Sequence, residues 1–125
     1  MTPAALRSTR VVCADGVRPA LVSLAGEQID AVLDYHADLP NVRDVGDWVI
    51  APGLVDCHVH INEPGRTEWE GFESATRAAA AGGVTTVIDM PLNCLPVTTS
   101  RAAFETKLAA CAGQCFVDVG FWGGV

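Results

Sequence analysis

His58 and His60, two of the chain's three histidines, stand two residues apart in the stretch APGLVDCHVHINEPGRTEWEG (51–71), with Asp56 two residues ahead of them. Imidazole nitrogens bind zinc and similar cations at about 2.0–2.1 Å. If the stretch is extended, alternate residues share a face. Asp56, His58, His60 and Asn62 then line one side, while Cys57, Val59 and Ile61 point into apolar packing. Same-side neighbours are roughly 6.5–7 Å apart along a strand, so two imidazoles can lean onto one ion. Two ligands do not hold a catalytic metal, and at least one more must come from elsewhere. The plain alternative is a pair of histidines satisfied by hydrogen bonds.

What must position these side chains is an alternation of strands and helices. GLVDCHV opens it as a strand, and RTEWEGFESATRAAAAGG (66–83) predicts a helix with capping-box spacing at Thr67 and Glu70 and a stop at Gly82-Gly83. VTTVIDM (84–90) lacks polar alternation, which suits a parallel strand covered on both faces. PLNCLPV (91–97) is a loop, and TSRAAFETKLAACAG (99–113) is a second helix capped by Thr99 or Ser100. CFVDVGFW (115–122) is a third strand. The β-α-β-α-β order implies a parallel sheet with right-handed crossovers. The histidines thus fall at the C-terminal end of its first strand, where parallel α/β folds carry their chemistry, and this position favours the metal reading.

Residues 1–50 read differently. STRVVCA (8–14) and PALVSLAG (19–26) are strands flanking the turn Asp15-Gly16, and EQIDAVLD (27–34) alternates like a half-buried strand. YHADLPNVRDVGD (35–47) reads as a loop and WVIAPG (48–53) as a short strand. A small antiparallel sheet follows. The expected division is 1–50 and 51–125, and the end of the chain at a third, uncovered strand reads as the N-terminal part of a longer protein.

Half of the residues are hydrophobic, so a packed core is expected. The net charge of −7, from 8 basic and 15 acidic residues, argues against nucleic-acid or anionic-membrane partners. No apolar run is long enough to span a membrane, and the start MTPAALRSTRVV lacks a secretory pattern. Five cysteines, an odd number scattered through apolar segments, fit buried or half-buried reduced thiols in a cytoplasmic setting.

The stretch GLVDCHVHINEPGRTEWEGFESATRAAAAGGVTTVIDMPLN resembles the cyclic amidohydrolases of the metal-dependent amidohydrolase superfamily, and within them the allantoinases. The likeness rests on DxHxH, Asn62-Glu63-Pro64-Gly65-Arg66, Trp69-Glu70-Gly71, GGVTT and Met90-Pro91-Leu92-Asn93. It implies an α/β architecture, the N-terminal portion of a (β/α)8 TIM barrel preceded by a small β-sandwich domain. It implies two divalent ions, zinc in most members, with His58 and His60 as the first two ligands. A carboxylated lysine bridge, two more histidines and an aspartate are expected from the missing part. The implied substrate is the small molecule allantoin, opened to allantoate in purine breakdown by an activated water and a proton-shuttling carboxylate, and the implied assembly is a homotetramer.

The resemblance also gives roles to weaker candidates. Asp56 could orient a ligand histidine, which usually needs an acceptor on its other ring nitrogen, or could cap loop amides. Asn62 stands where dihydroorotases carry an arginine for a substrate carboxylate; a neutral amide suits an uncharged hydantoin or ureido group. Asn93 could face substrate or be a turn residue before Pro96. Trp69 and Phe72, three apart on the first helix, read as core. A hydantoinase, dihydropyrimidinase or dihydroorotase activity, or a non-catalytic truncated homologue, are the rival readings.

Overall fold

The computed structural model describes residues 4–125, so Met1–Pro3 of the opening stretch lie outside the described residues. The described residues form two compact units, one ending at Pro52 and the other spanning Gly53–Val125.

The first unit is one five-stranded sheet built from β1 (Ala5–Cys13), β2 (Gly16–Ala25), β3 (Gln28–Leu33), β4 (Val42–Asp44) and β5 (Val49–Ile50). β1 and β2 form a hairpin with Cys13 opposite Gly16, and β2 and β3 a second with Ala25 opposite Gln28. Gly16 and Gly26 sit at the two turns with positive φ, which glycine adopts without strain. The sheet is mixed rather than antiparallel: β4 and β5 both run parallel to β1. β4 arises inside the segment expected to be loop. Three residues are too few to show a period, so local pattern could not reveal β4. β5 falls within the short strand expected at 48–53, but its parallel pairing joins residues far apart in the chain. Val11, Ala20 and Val22 form the core of this unit, with Cys13, Leu24 and Ile50 against it.

The second unit alternates strictly: β6 (Leu54–Val59), α1 (Phe72–Ala81), β7 (Val84–Asp89), α2 (Arg101–Cys111) and β8 (Asp118–Phe121). Its sheet is parallel in the order β6-β7-β8, as the element order requires. Ile61, Phe72 and Val87 are its buried centre, packed by Ala75 and Ala79 of α1, Ala110 of α2, and Val119 and Phe121 of β8. β7 lies in the middle, and its β-branched run VTTVI lacks the polar alternation of a strand with one solvated face. Among the described residues no helix is long and apolar enough to cross a membrane.

The two helix starts show where a local signal suffices and where it does not. Ser100 caps α2, its hydroxyl accepting the Ala103 N–H at 3.2 Å. The Thr67/Glu70 capping box does not form, and α1 begins at Phe72 with no side-chain cap from its N-cap residue, Gly71. Glu63 takes over from the preceding loop: its Oε2 accepts the Phe72 N–H at 2.9 Å, and its Oε1 accepts from Gln114 Nε2 at 3.3 Å. A carboxylate at a helix N-terminus both satisfies an orphan amide and meets the positive end of the dipole. A Cβ at Gly71 would lie 2.8 Å from that carboxylate, so the glycine makes room for it. Glu63→Ala in a complete protein should cost about 1–2 kcal/mol, as loss of a cap does, read as a lower urea midpoint; an unchanged midpoint contradicts the capping role.

Candidate functional site

The DxHxH motif occupies the end of β6, and the strand is irregular there. Asp56 lies opposite Val87 and Val59 opposite Asp89, so three steps on β6 face two on β7. The extra residue is a bulge at Cys57–His58, a feature that re-aims side chains near functional sites. Its backbone groups are met by side chains. Asp56 Oδ1 accepts the His58 N–H at 3.0 Å, and the Trp122 indole N–H, just beyond β8, donates to the Cys57 carbonyl at 3.0 Å.

The two imidazoles stand beside each other, ring centres 5.3 Å apart and planes at 66°. His58 is exposed and His60 half-buried. His60 Nδ1 is buried and has no hydrogen-bond partner among the described residues. A buried, unpaired imidazole nitrogen is costly unless something outside the chain engages it. The pair therefore suits a cation as two of its ligands. Among the described residues no group of three or more His, Cys, Asp or Glu converges on one point.

Other candidates cluster at the same end of the sheet. The loop after β6 folds on itself: Asn62 N–H donates to Glu70 O at 3.1 Å, and Arg66 N–H to Asn62 O at 3.1 Å. Asn62 is largely buried within it. Asn93, in the loop after β7, is exposed with φ of 68°. The two loops touch, Leu95 N–H donating to Pro64 O at 2.8 Å. Gly65 has φ of 90°, and a Cβ there would meet Leu95 Cβ at 2.6 Å, so only glycine allows this approach. Trp69 is not core: it is 65 % exposed, with the Arg66 guanidinium 4.9 Å over its ring, whereas Phe72 is fully buried. All five cysteines are free; Cys57 and Cys115 are exposed rather than buried.

The sequence reading missed a buried ion pair. Asp89, the last residue of β7, is 1 % exposed, and Lys107 of α2 is fully buried and paired with its Oδ2. Asp89 Oδ1 accepts the Ile61 N–H at 2.6 Å, and Lys107 Nζ donates to Ile61 O at 3.1 Å. Burial pushes the Asp89 carboxyl above its usual range, opposed by the Lys107 ammonium and the Ile61 N–H. The signal was available: a carboxylate closes an otherwise apolar strand, and Lys107 shares a helix face with Ala103, Ala110 and Cys111.

Residues 49–124 match the model of the amidohydrolase family. The chain belongs to that family. It is 57% identical over 122 residues to an allantoinase of Streptomyces avermitilis, covering 95% of this chain and 27% of that protein. It is 50% identical over 123 residues to a mitochondrial allantoinase of Aquarana catesbeiana, covering 96% of this chain and 25% of that one. In structure it is similar to the L-hydantoinase (dihydropyrimidinase) of Arthrobacter aurescens, with a TM-score of 0.84, 30% identity, and coverage of 99% of this chain and 28% of that one. The chain thus spans about a quarter of the length of the curated relatives it matches. Its fold is the N-terminal portion of this hydantoinase-like α/β architecture.

Proposed function

We propose that the chain is the opening part of an allantoinase, a hydrolase that opens the cyclic amide of allantoin to allantoate. The observation that carries this reading is the pair of adjacent imidazoles, one with a buried unpartnered nitrogen, at the end of the first parallel strand of an amidohydrolase chain. The high identity to allantoinases over nearly the whole chain supports the choice of substrate. Divalent ions, zinc in the first instance, would supply a water of lowered pKa and polarise the carbonyl. His58 and His60 would hold one of them. Asp56 sets the His58 backbone through its hydrogen bond to the His58 N–H. Asn62 and Asn93 would hydrogen-bond the uncharged ring, since a neutral amide both donates and accepts.

We assign residues 1–50 to a small β-sandwich portion and 51–125 to the first β/α units of a barrel. Leu54 and Val55, each 62 % exposed on edge strand β6, support further strands covering this edge. Remaining ligands, assembly as a homotetramer and a cytoplasmic, reducing setting belong to the same proposal. The likeness to L-hydantoinase favours hydantoins as the second substrate class.

The test is a complete protein of the relatives' length, loaded with zinc, manganese or cobalt and assayed on allantoin, hydantoin, dihydrouracil and dihydroorotate. Allantoate formation with the highest kcat/KM is expected. No turnover of allantoin with any metal, or a preference for dihydroorotate, rejects the reading.

A further inference from the structure

We propose that Asp89 and Lys107 are positioning residues that clamp Ile61 by both of its backbone polar groups and so set the direction in which His60 and Asn62 leave the sheet. The inference rests on the metal reading of the histidines and adds residues which that reading does not use. β6 ends at Val59, whose carbonyl accepts the Met90 N–H at 2.8 Å. Beyond it the chain leaves the ladder, and the Ile61 N–H and C=O have no strand to pair with. The Asp89 carboxylate takes the N–H and the Lys107 ammonium the C=O, while the two side chains pair with each other. Among the described residues Asp89 Oδ2 has no partner other than that ammonium.

Stability alone is a poor reason for this arrangement. A buried ion pair costs much of its attraction in desolvation, and apolar residues of similar volume often serve stability as well or better. What the pair supplies is direction: two charge-assisted hydrogen bonds onto one residue, one to each of the peptide groups that join it to a candidate ligand and to a candidate substrate contact. Ile61 itself is 1 % exposed and packs in the core with Phe72, so backbone clamp and side-chain anchor act on one residue. Groups that orient a metal ligand change affinity by about 10–100-fold when removed.

The experiment compares Asp89→Leu/Lys107→Met with wild type in the complete protein, using zinc affinity by chelator competition and amide hydrogen exchange at Ile61 in the metal-free state. A folded but less stable protein, since the Ile61 N–H and C=O lose their partners, zinc bound about 10–100-fold more weakly, and faster exchange at Ile61 are expected. A folded variant with wild-type zinc affinity overturns the clamp. If the apolar pair does not fold, Asp89→Glu decides, because it keeps both charges and displaces the carboxylate by one methylene: weaker zinc binding supports the clamp and unchanged binding overturns it. His58→Ala runs alongside. Wild-type affinity in that variant overturns the metal reading and this inference together, whereas wild-type affinity in the Asp89/Lys107 variants alone overturns only the clamp.

Discussion

On the proposed allantoinase function, a complete protein carrying His58→Ala and His60→Ala is expected to lose bound cation at one of two positions and to hydrolyse allantoin at least about a thousandfold more slowly. The size follows from the several kcal/mol of charge stabilisation a catalytic cation contributes, at about 1.4 kcal/mol per tenfold in rate. Folding should survive. His58 is exposed, with its ring 5.3 Å from that of His60, and among the described residues His60 Nδ1 makes no hydrogen bond that the alanine would forfeit. Metal analysis of the purified variant checks the first half and allantoate formation the second. Unchanged cation stoichiometry in a folded double variant contradicts the assignment, because two adjacent imidazoles with no ligand role would leave metal content untouched.

The largest effect on stability is expected at Phe72. Its ring is fully buried at the start of α1, meets Phe121 of β8 at 6.2 Å between centres, and shares a core with Ile61 and Val87. The Lys107 ammonium lies 5.7 Å from its centre. Phe72→Ala removes the ring and leaves a cavity under both the strand that carries the histidines and the residue that Lys107 holds. A cost of about 3–5 kcal/mol is expected, measured as a shift of the urea midpoint with unchanged slope. Trp69→Ala, three residues earlier, should stay within about 0.5 kcal/mol because its ring is mostly in solvent. Equal effects at the two positions would contradict this core.

The contrast between these two aromatics shows how much of the molecule was legible beforehand. Helical spacing put Trp69 and Phe72 on one face, but the helix starts only at Phe72, so the spacing argument did not apply to Trp69. The capping box at Thr67 and Glu70 failed for the same reason: Glu63, nine residues before Phe72, reached the amide first from a folded loop. The bulge at Cys57–His58 was also invisible, since a one-residue mismatch exists only relative to the partner strand. Lys107 had a local signal, a lysine on an alanine face, but its meaning depended on Ile61, 46 residues away.

By itself, the order of residues determined the features that depend on near neighbours. These are the β-α-β-α-β order, a hydroxyl cap for α2 at Thr99 or Ser100, the glycine stop after α1, the β-branched run of β7 and the placing of two histidines at a strand end. Such features are settled by period, propensity and hydrogen bonds that span a few residues. Tertiary structure alone decided that the first sheet is mixed, that Glu63 caps α1, that His60 keeps a buried nitrogen free, and that Asp89 and Lys107 close on Ile61. Each of these joins groups brought together only by packing, and the energy of a buried polar group depends on which partner arrives there.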